Sequence, residues 1–102
     1  MLHIFYRLCK SDRKKNDGFE YRPEWFSKRV CYSSFIKSLA KLHDDEYKLL
    51  TVIDGESPDW FLAGDFITLD NIGSAPSFWH TYNMALELPD EDWVYFSEDD
   101  YL

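Results

Sequence analysis

Three consecutive carboxylates, Glu98, Asp99 and Asp100, follow the apolar run Trp93-Val94-Tyr95-Phe96-Ser97. Acids side by side at the end of a buried strand repel one another and resist desolvation, so something must compensate them. A divalent cation, Mn2+ or Mg2+, is the expected compensator. Held by one or two carboxylates, with its other positions left to water and phosphate oxygens, such an ion is a common means of handling a diphosphate. The plain alternative is an acidic tail solvated by water. The apolar residues in front of the acids favour the first reading.

Positioning such a cluster requires a scaffold, and the hydrophobic pattern supplies one. Leu2 to Cys9 reads as a buried strand and leads into the polar stretch Lys10 to Gly18. Pro23 suits the opening of a helix, and Tyr32, Phe35, Ile36, Leu39 and Leu42 recur at helical spacing, giving a helix from Pro23 to Leu42 with Trp25 and Phe26 stapling its first turn. Tyr47 to Ile53 is a second strand and Phe66 to Leu69 a third. Ser74 is placed to cap a second helix, whose stripe of Phe78, Trp79, Tyr82, Ala85 and Leu86 is expected to face the core until Pro89 ends it. A fourth strand, Trp93 to Ser97, delivers the acids.

The order β-α-β-β-α-β predicts an α/β fold: a mostly parallel central sheet of about four strands flanked by two main helices. In such sheets ligands bind at the rim formed by the C-terminal ends of the strands. Three polar groups converge there: Lys10 to Arg13 after the first strand, Asp54 to Glu56 after the second, and Glu98 to Asp100 after the fourth.

Residues 1–102 are expected to form one domain; at 45% hydrophobic and 19% aromatic the chain is too rich in large apolar groups to be disordered. A net charge of −8 argues against a nucleic-acid partner. Its distribution is uneven: eleven cations and seven acids lie in residues 1–48, twelve acids and no cation in residues 49–102. The fold must bring a basic half against an acidic half, which suits phosphates met by cations as well as ordinary charge pairing. No apolar run is long enough for a membrane span, and the first residues lack the pattern of a secretory signal. Cys9 and Cys31 share no metal-site spacing, so reduced thiols in a cytoplasmic setting are expected.

The Asp54 that closes TVIDGE, the Asn71-x-Gly73-Ser74 entry into an aromatic helix, and the strand ending Tyr-Phe-Ser-Glu-Asp-Asp resemble the nucleotide-binding half of a GT-A fold glycosyltransferase. The likeness covers most of the chain in order and spacing. It implies a Rossmann-like core that binds a nucleotide-diphosphate sugar, such as a UDP-sugar, with hexosyl transfer as the activity. Asp54 would then accept a hydrogen bond from the base, while Arg7, Lys10 and Ser11 cradle base and ribose. Asn71, Ser74 and Ser77 would face the ribose and donor near a helix N-terminus. Asp99 would correspond to the acid nearest the ribose or donor sugar and Asp100 to the metal ligand. Read as acid-x-acid, Glu98 takes the place of Asp99 in that pair, and both registers stand.

Enzymes of that kind continue past the acidic motif into an acceptor-binding region, whereas this sequence stops at Leu102. The expectation is therefore a minimal enzyme, a fragment, or a donor-binding module that borrows its acceptor surface from a partner or a second copy, with the acceptor itself unknown. Two rivals from other classes are a non-enzymatic acidic interaction domain and a metal-dependent hydrolase or transferase of phosphates using the same acids. Trp60 is expected where a ligand could reach it, and Lys28 and Arg29 are candidate phosphate contacts on a rigid helix. His80 and Cys9 are read as structural.

Overall fold

β1 (Leu2–Leu8) is the strand around which everything else is arranged. In the computed structural model, which describes residues 1–10, 25–61 and 64–99, it pairs in parallel with β2 (Tyr47–Asp54) on one side and with β4 (Trp93–Glu98) on the other. β3 (Phe66–Leu69) pairs in parallel with β2, giving a four-stranded all-parallel sheet of order β3-β2-β1-β4. Between the strands lie two helices, α1 (Lys28–Leu39) and α2 (Ser74–Leu86).

Adjacent side chains of β1 point to opposite faces of the sheet, and each face meets a different helix. Tyr6 packs on Phe35 of α1, with ring centroids 4.4 Å apart. Phe5 stacks on Phe96 of β4 at 5.8 Å, and Phe96 in turn meets Phe78 and Tyr82 of α2. The chain thus makes a three-layer sandwich. Tyr6, Leu8, Tyr32 and Ile53 form the buried cluster on the α1 side.

The local signals for α1 differ from the expected Pro23 start. Pro23 itself lies outside the described residues; Trp25 to Ser27 are not helical, and Ser27, in an extended conformation, caps the helix by accepting a hydrogen bond from the Val30 N–H. Phe26, buried at the position before the cap, and Cys31, buried at the fourth helical position, occupy the two places of a hydrophobic staple, while Trp25 is exposed. At the other end α1 stops at Leu39 rather than Leu42, with Ala40 as its C-cap.

α2 also departs from expectation. Ser74 is its first helical residue rather than its cap; that position belongs to Gly73, at φ 98° and without a side chain to contribute. Only part of the aromatic stripe faces the sheet, with Phe78 and Tyr82 meeting Phe96. Ser77 and Thr81 are the buried residues of α2, whereas Trp79, Tyr82 and Leu86 are exposed. Two small hydroxyl side chains one turn apart are the most deeply buried part of the packed face, and Thr81 satisfies its hydroxyl by donating to the Ser77 carbonyl at 2.8 Å.

β4 was expected to be buried and is instead an edge strand. Its outer side has no neighbour among the described residues, so Trp93 is 76% exposed and Tyr95 is exposed too. Both lie on the α1 face, opposite Leu2 and Ile4 in register, but α1 sits over β1 and β2. The result is an open apolar groove of about 360 Å3 between α1 and β4, lined by Leu2, Ile4, Phe35, Leu39, Leu42 and Tyr95 among others. No helix among the described residues is long and apolar enough to cross a membrane.

Candidate functional site

Because all four strands run the same way, the ends of β1, β2 and β4 share one rim. A pocket of about 200 Å3 opens there. Of the residues singled out from sequence, Arg7, Asp54, Asn71, Ser74, Ser77, Glu98 and Asp99 all line it, together with Leu8, Cys9, Val52 and Gly73. Lys10 lies outside this lining, with its ammonium 3.3 Å from the Glu56 carboxylate. Ser11 and Asp100 lie outside the described residues, as does the Arg13-Lys14-Lys15 run.

Arg7 is the hub. It sits opposite Glu98 in the β1–β4 register, and its guanidinium spans both carboxylate oxygens: Nη2 donates to Oε1 at 2.8 Å and to Oε2 at 2.9 Å, and Nε donates to Oε1 at 3.2 Å. Nη1 reaches the start of α2, donating to the Ser74 carbonyl at 2.7 Å and to Ser77 Oγ at 2.8 Å. The guanidinium carbon also lies 5.3 Å from the centre of the Phe78 ring. All five guanidinium N–H donors are accounted for, so Arg7 joins β1, β4 and α2 as a rigid fork.

Asp54 does a similar job at the end of β2. Its Oδ1 accepts from the Ile72 N–H and its Oδ2 from the Gly73 N–H, each at 2.8 Å. The carboxylate therefore takes two backbone donors just ahead of α2, where helix polarity favours an anion. Asn71 at φ 57° and Gly73 at φ 98° make the sharp turn that presents those amides. Gly55 closes the same corner by donating its N–H to the Leu69 carbonyl.

The third anchor is Lys28, the first residue of α1, which is only 6% exposed. Its ammonium donates to Asp99 Oδ2 at 3.0 Å, to the Cys9 carbonyl at 3.0 Å and to Cys9 Sγ at 2.9 Å. Asp99 Oδ2 also accepts from the Cys9 N–H at 2.8 Å. Burial on its own lowers a lysine, but the Asp99 charge and the hydrogen bonds to Cys9 and Asp99 outweigh it, and Lys28 is raised above its ordinary value. Lys28 is thus a buried clasp between the ends of β1 and β4 rather than a free phosphate contact. Nothing in the local sequence marks it, because its partners lie 19 residues back and 71 residues ahead along the chain.

The two described acids of the terminal group are therefore neutralised from within the protein, Glu98 by Arg7 and Asp99 by Lys28. Among the described residues no group of three His, Cys, Asp or Glu side chains could hold a metal ion. Both oxygens of Glu98 face the Arg7 guanidinium and Oδ2 of Asp99 faces the Lys28 ammonium, so neither carboxylate presents an uncompensated charge to a divalent ion. Trp60, expected within reach of a ligand, packs on Tyr32 at 5.5 Å instead, beside the core. His80 is exposed on α2.

No family model matches the chain, and neither a curated protein nor a solved structure matches it.

Proposed function

We propose that the chain is the nucleotide-binding part of a GT-A-type glycosyltransferase, taking a nucleotide-diphosphate sugar, with UDP as the favoured nucleotide. One observation carries the reading. Seven residues from four separate stretches, singled out by their motif positions, line a single pocket at the C-terminal rim of a parallel sheet. The strand order 3-2-1-4 matches the first four positions of the Rossmann order 3-2-1-4-5-6, whose direction of winding reverses between β1 and β4. Crevices at that reversal are where open α/β sheets bind nucleotides, and the pocket sits there.

The pocket chemistry agrees. Its two strongest charges are cancelled internally, and Asp54 is shared with backbone amides, so the lining presents mainly neutral polar groups and a helix N-terminus. Such a lining suits the hydroxyls and amides of a nucleoside, with Asn71 and Ser74, both exposed at the helix start, closest to solvent. Arg7, through Ser74 and Ser77, fixes the helix end that would face the ribose and diphosphate. In this reading Asp54 contributes its remaining lone pairs to the base, and Lys10, Ser11 and Asp100 complete the surround.

Calorimetric titration with UDP tests the proposal. Saturable heat and a rise in melting temperature with UDP, absent with uncharged sugars alone, are expected. A flat titration at saturating UDP removes the reading. Release of nucleotide from a panel of nucleotide sugars then separates transfer or hydrolysis from binding alone.

A further inference from the structure

Divalent ions serve at acidic clusters by cancelling charge that would otherwise repel a phosphate. For the two described acids at this rim that charge is already cancelled. Asp99, 9% exposed, has its Oδ2 held by the Lys28 ammonium at 3.0 Å and by the Cys9 N–H at 2.8 Å. Glu98 has both oxygens on the Arg7 fork. An Mg2+ ion bound through Glu98 or through Asp99 Oδ2 would need to sit at about 2.0–2.1 Å from an oxygen already facing a cation, and one on Asp99 Oδ1 would share a carboxylate whose charge Lys28 already cancels. The ion and the ammonium or guanidinium would then be like charges crowded on one carboxylate in a partly shielded site, where they repel, and Arg7 cannot relieve the conflict by losing its proton.

Lys28 is poorly placed to move aside. It belongs to the first turn of a capped helix, and all three of its N–H donors have partners. Displacing it would strand an ammonium inside the protein. Its point charge and fixed position are what a resident cation requires.

We infer that Lys28 and Arg7 take the charge-neutralising role of a divalent ion at Asp99 and Glu98, so that the rim pocket binds its nucleotide without one. This rests on the nucleotide-binding reading for its second half only. Lys28 is in this sense a positioning residue: it holds Asp99 and the end of β1 in place and occupies the position a metal would claim.

The test has two arms. In the first, UDP is titrated into the unaltered chain with MnCl2 or with EDTA, and affinities equal within about twofold are expected. A loss of about tenfold or more in EDTA overturns the inference while leaving nucleotide binding intact. In the second arm, without nucleotide, free Mn2+ is followed by electron paramagnetic resonance. Lys28→Met, which leaves Asp99 without its counter-charge, should gain Mn2+ binding that the parent and Lys28→Arg lack. The double change Lys28→Met with Asp99→Asn should lose it again. Mn2+ binding by the parent as tight as by Lys28→Met, or no gain in a folded Lys28→Met, overturns the inference. If Lys28→Met does not fold, the EDTA comparison on the parent still decides. If UDP gives no heat under either condition, the nucleotide reading fails, and the Mn2+ arm alone judges the resident cation.

Discussion

Arg7 and Glu98 stand opposite each other on neighbouring parallel strands, and the guanidinium of one covers both oxygens of the other at 2.8 and 2.9 Å. The pair sits at the lip of the pocket, half shielded from water, and Arg7 simultaneously holds the first turn of α2. One residue therefore couples strand pairing, helix docking and pocket shape.

Truncating Arg7 should be among the most damaging single changes at the rim. Arg7→Met leaves Glu98 uncompensated and frees the α2 carbonyl and hydroxyl, for an expected loss of about 2–4 kcal/mol in denaturant melts. Arg7→Lys should recover less than half, since an ammonium cannot span two oxygens and reach α2 together. Arg7→Met combined with Glu98→Gln should cost less than the sum of the two single changes, because the stranded charge is gone.

Asp54→Asn tests the brace ahead of α2. An amide can accept from only one of the Ile72 and Gly73 N–H groups and presents a donor to the other, so about 1–2 kcal/mol of stability should be lost. Amide exchange at Ile72 and Gly73 should accelerate in the variant, with β1 unaffected. Unchanged protection at both amides would show that the brace is not needed to hold the turn.

Gly73→Ala addresses the same turn through the backbone. At φ 98° an L-residue is strained, while the added Cβ would meet nothing closer than the Pro76 ring at 3.9 Å, so the cost is conformational rather than steric. An expected loss of about 1–2 kcal/mol, measured by chemical denaturation, should be matched by weaker UDP binding if the turn shapes the pocket.

Two groups set opposite ends of the pH profile. Asp92 is held below the ordinary carboxylate value, first by its hydrogen bond to His3 and also by the amino group of Met1, to which it lies 2.8 and 3.2 Å away respectively. A depressed carboxylate stabilises the fold above its unfolded value of 3.8 and loses that contribution as pH falls through the folded value. Asp92→Asn should therefore flatten the acid limb of a plot of melting temperature against pH. Lys28 is raised, so its contribution is complete below 10.5 and fades as pH climbs through the folded value. The alkaline limb should flatten in Lys28→Met and persist in Asp92→Asn.

Much of this was legible along the chain, and the limits have physical causes. Strands and helices showed in local periodicity, because Tyr47 to Asp54 or Phe66 to Leu69 carry their own apolar and β-branched pattern. Parallel alternation then implied a common rim for Arg7, Asp54 and Glu98. Exposure of Trp93 and Tyr95 was not legible, since whether a strand lies at an edge depends on where the other strands go. The packed face of α2 was only partly legible, for a related reason, although Phe78 and Tyr82 do meet Phe96. Hydrophobicity points to Trp79 and Leu86, but close approach to the sheet selects the small Ser77 and Thr81. The Lys28–Asp99 clasp joins residues 71 positions apart, and ion pairs at such separation leave no periodic trace.

The placement of β1 at the middle of the sheet has a bearing on how the chain assembles. Its neighbours on either side begin at Tyr47 and at Trp93, so no strand of the central trio meets a partner nearby in sequence. Closing such long loops is entropically slow, and no hairpin exists among the described residues to nucleate it. Until the last strand docks, Phe5 lacks the Phe96 ring it stacks upon, and one flank of the earliest-made strand stays bare. Folding should accordingly be slow for a domain of this size, with the pocket, whose wall includes Glu98 and Asp99, taking shape only in the final step.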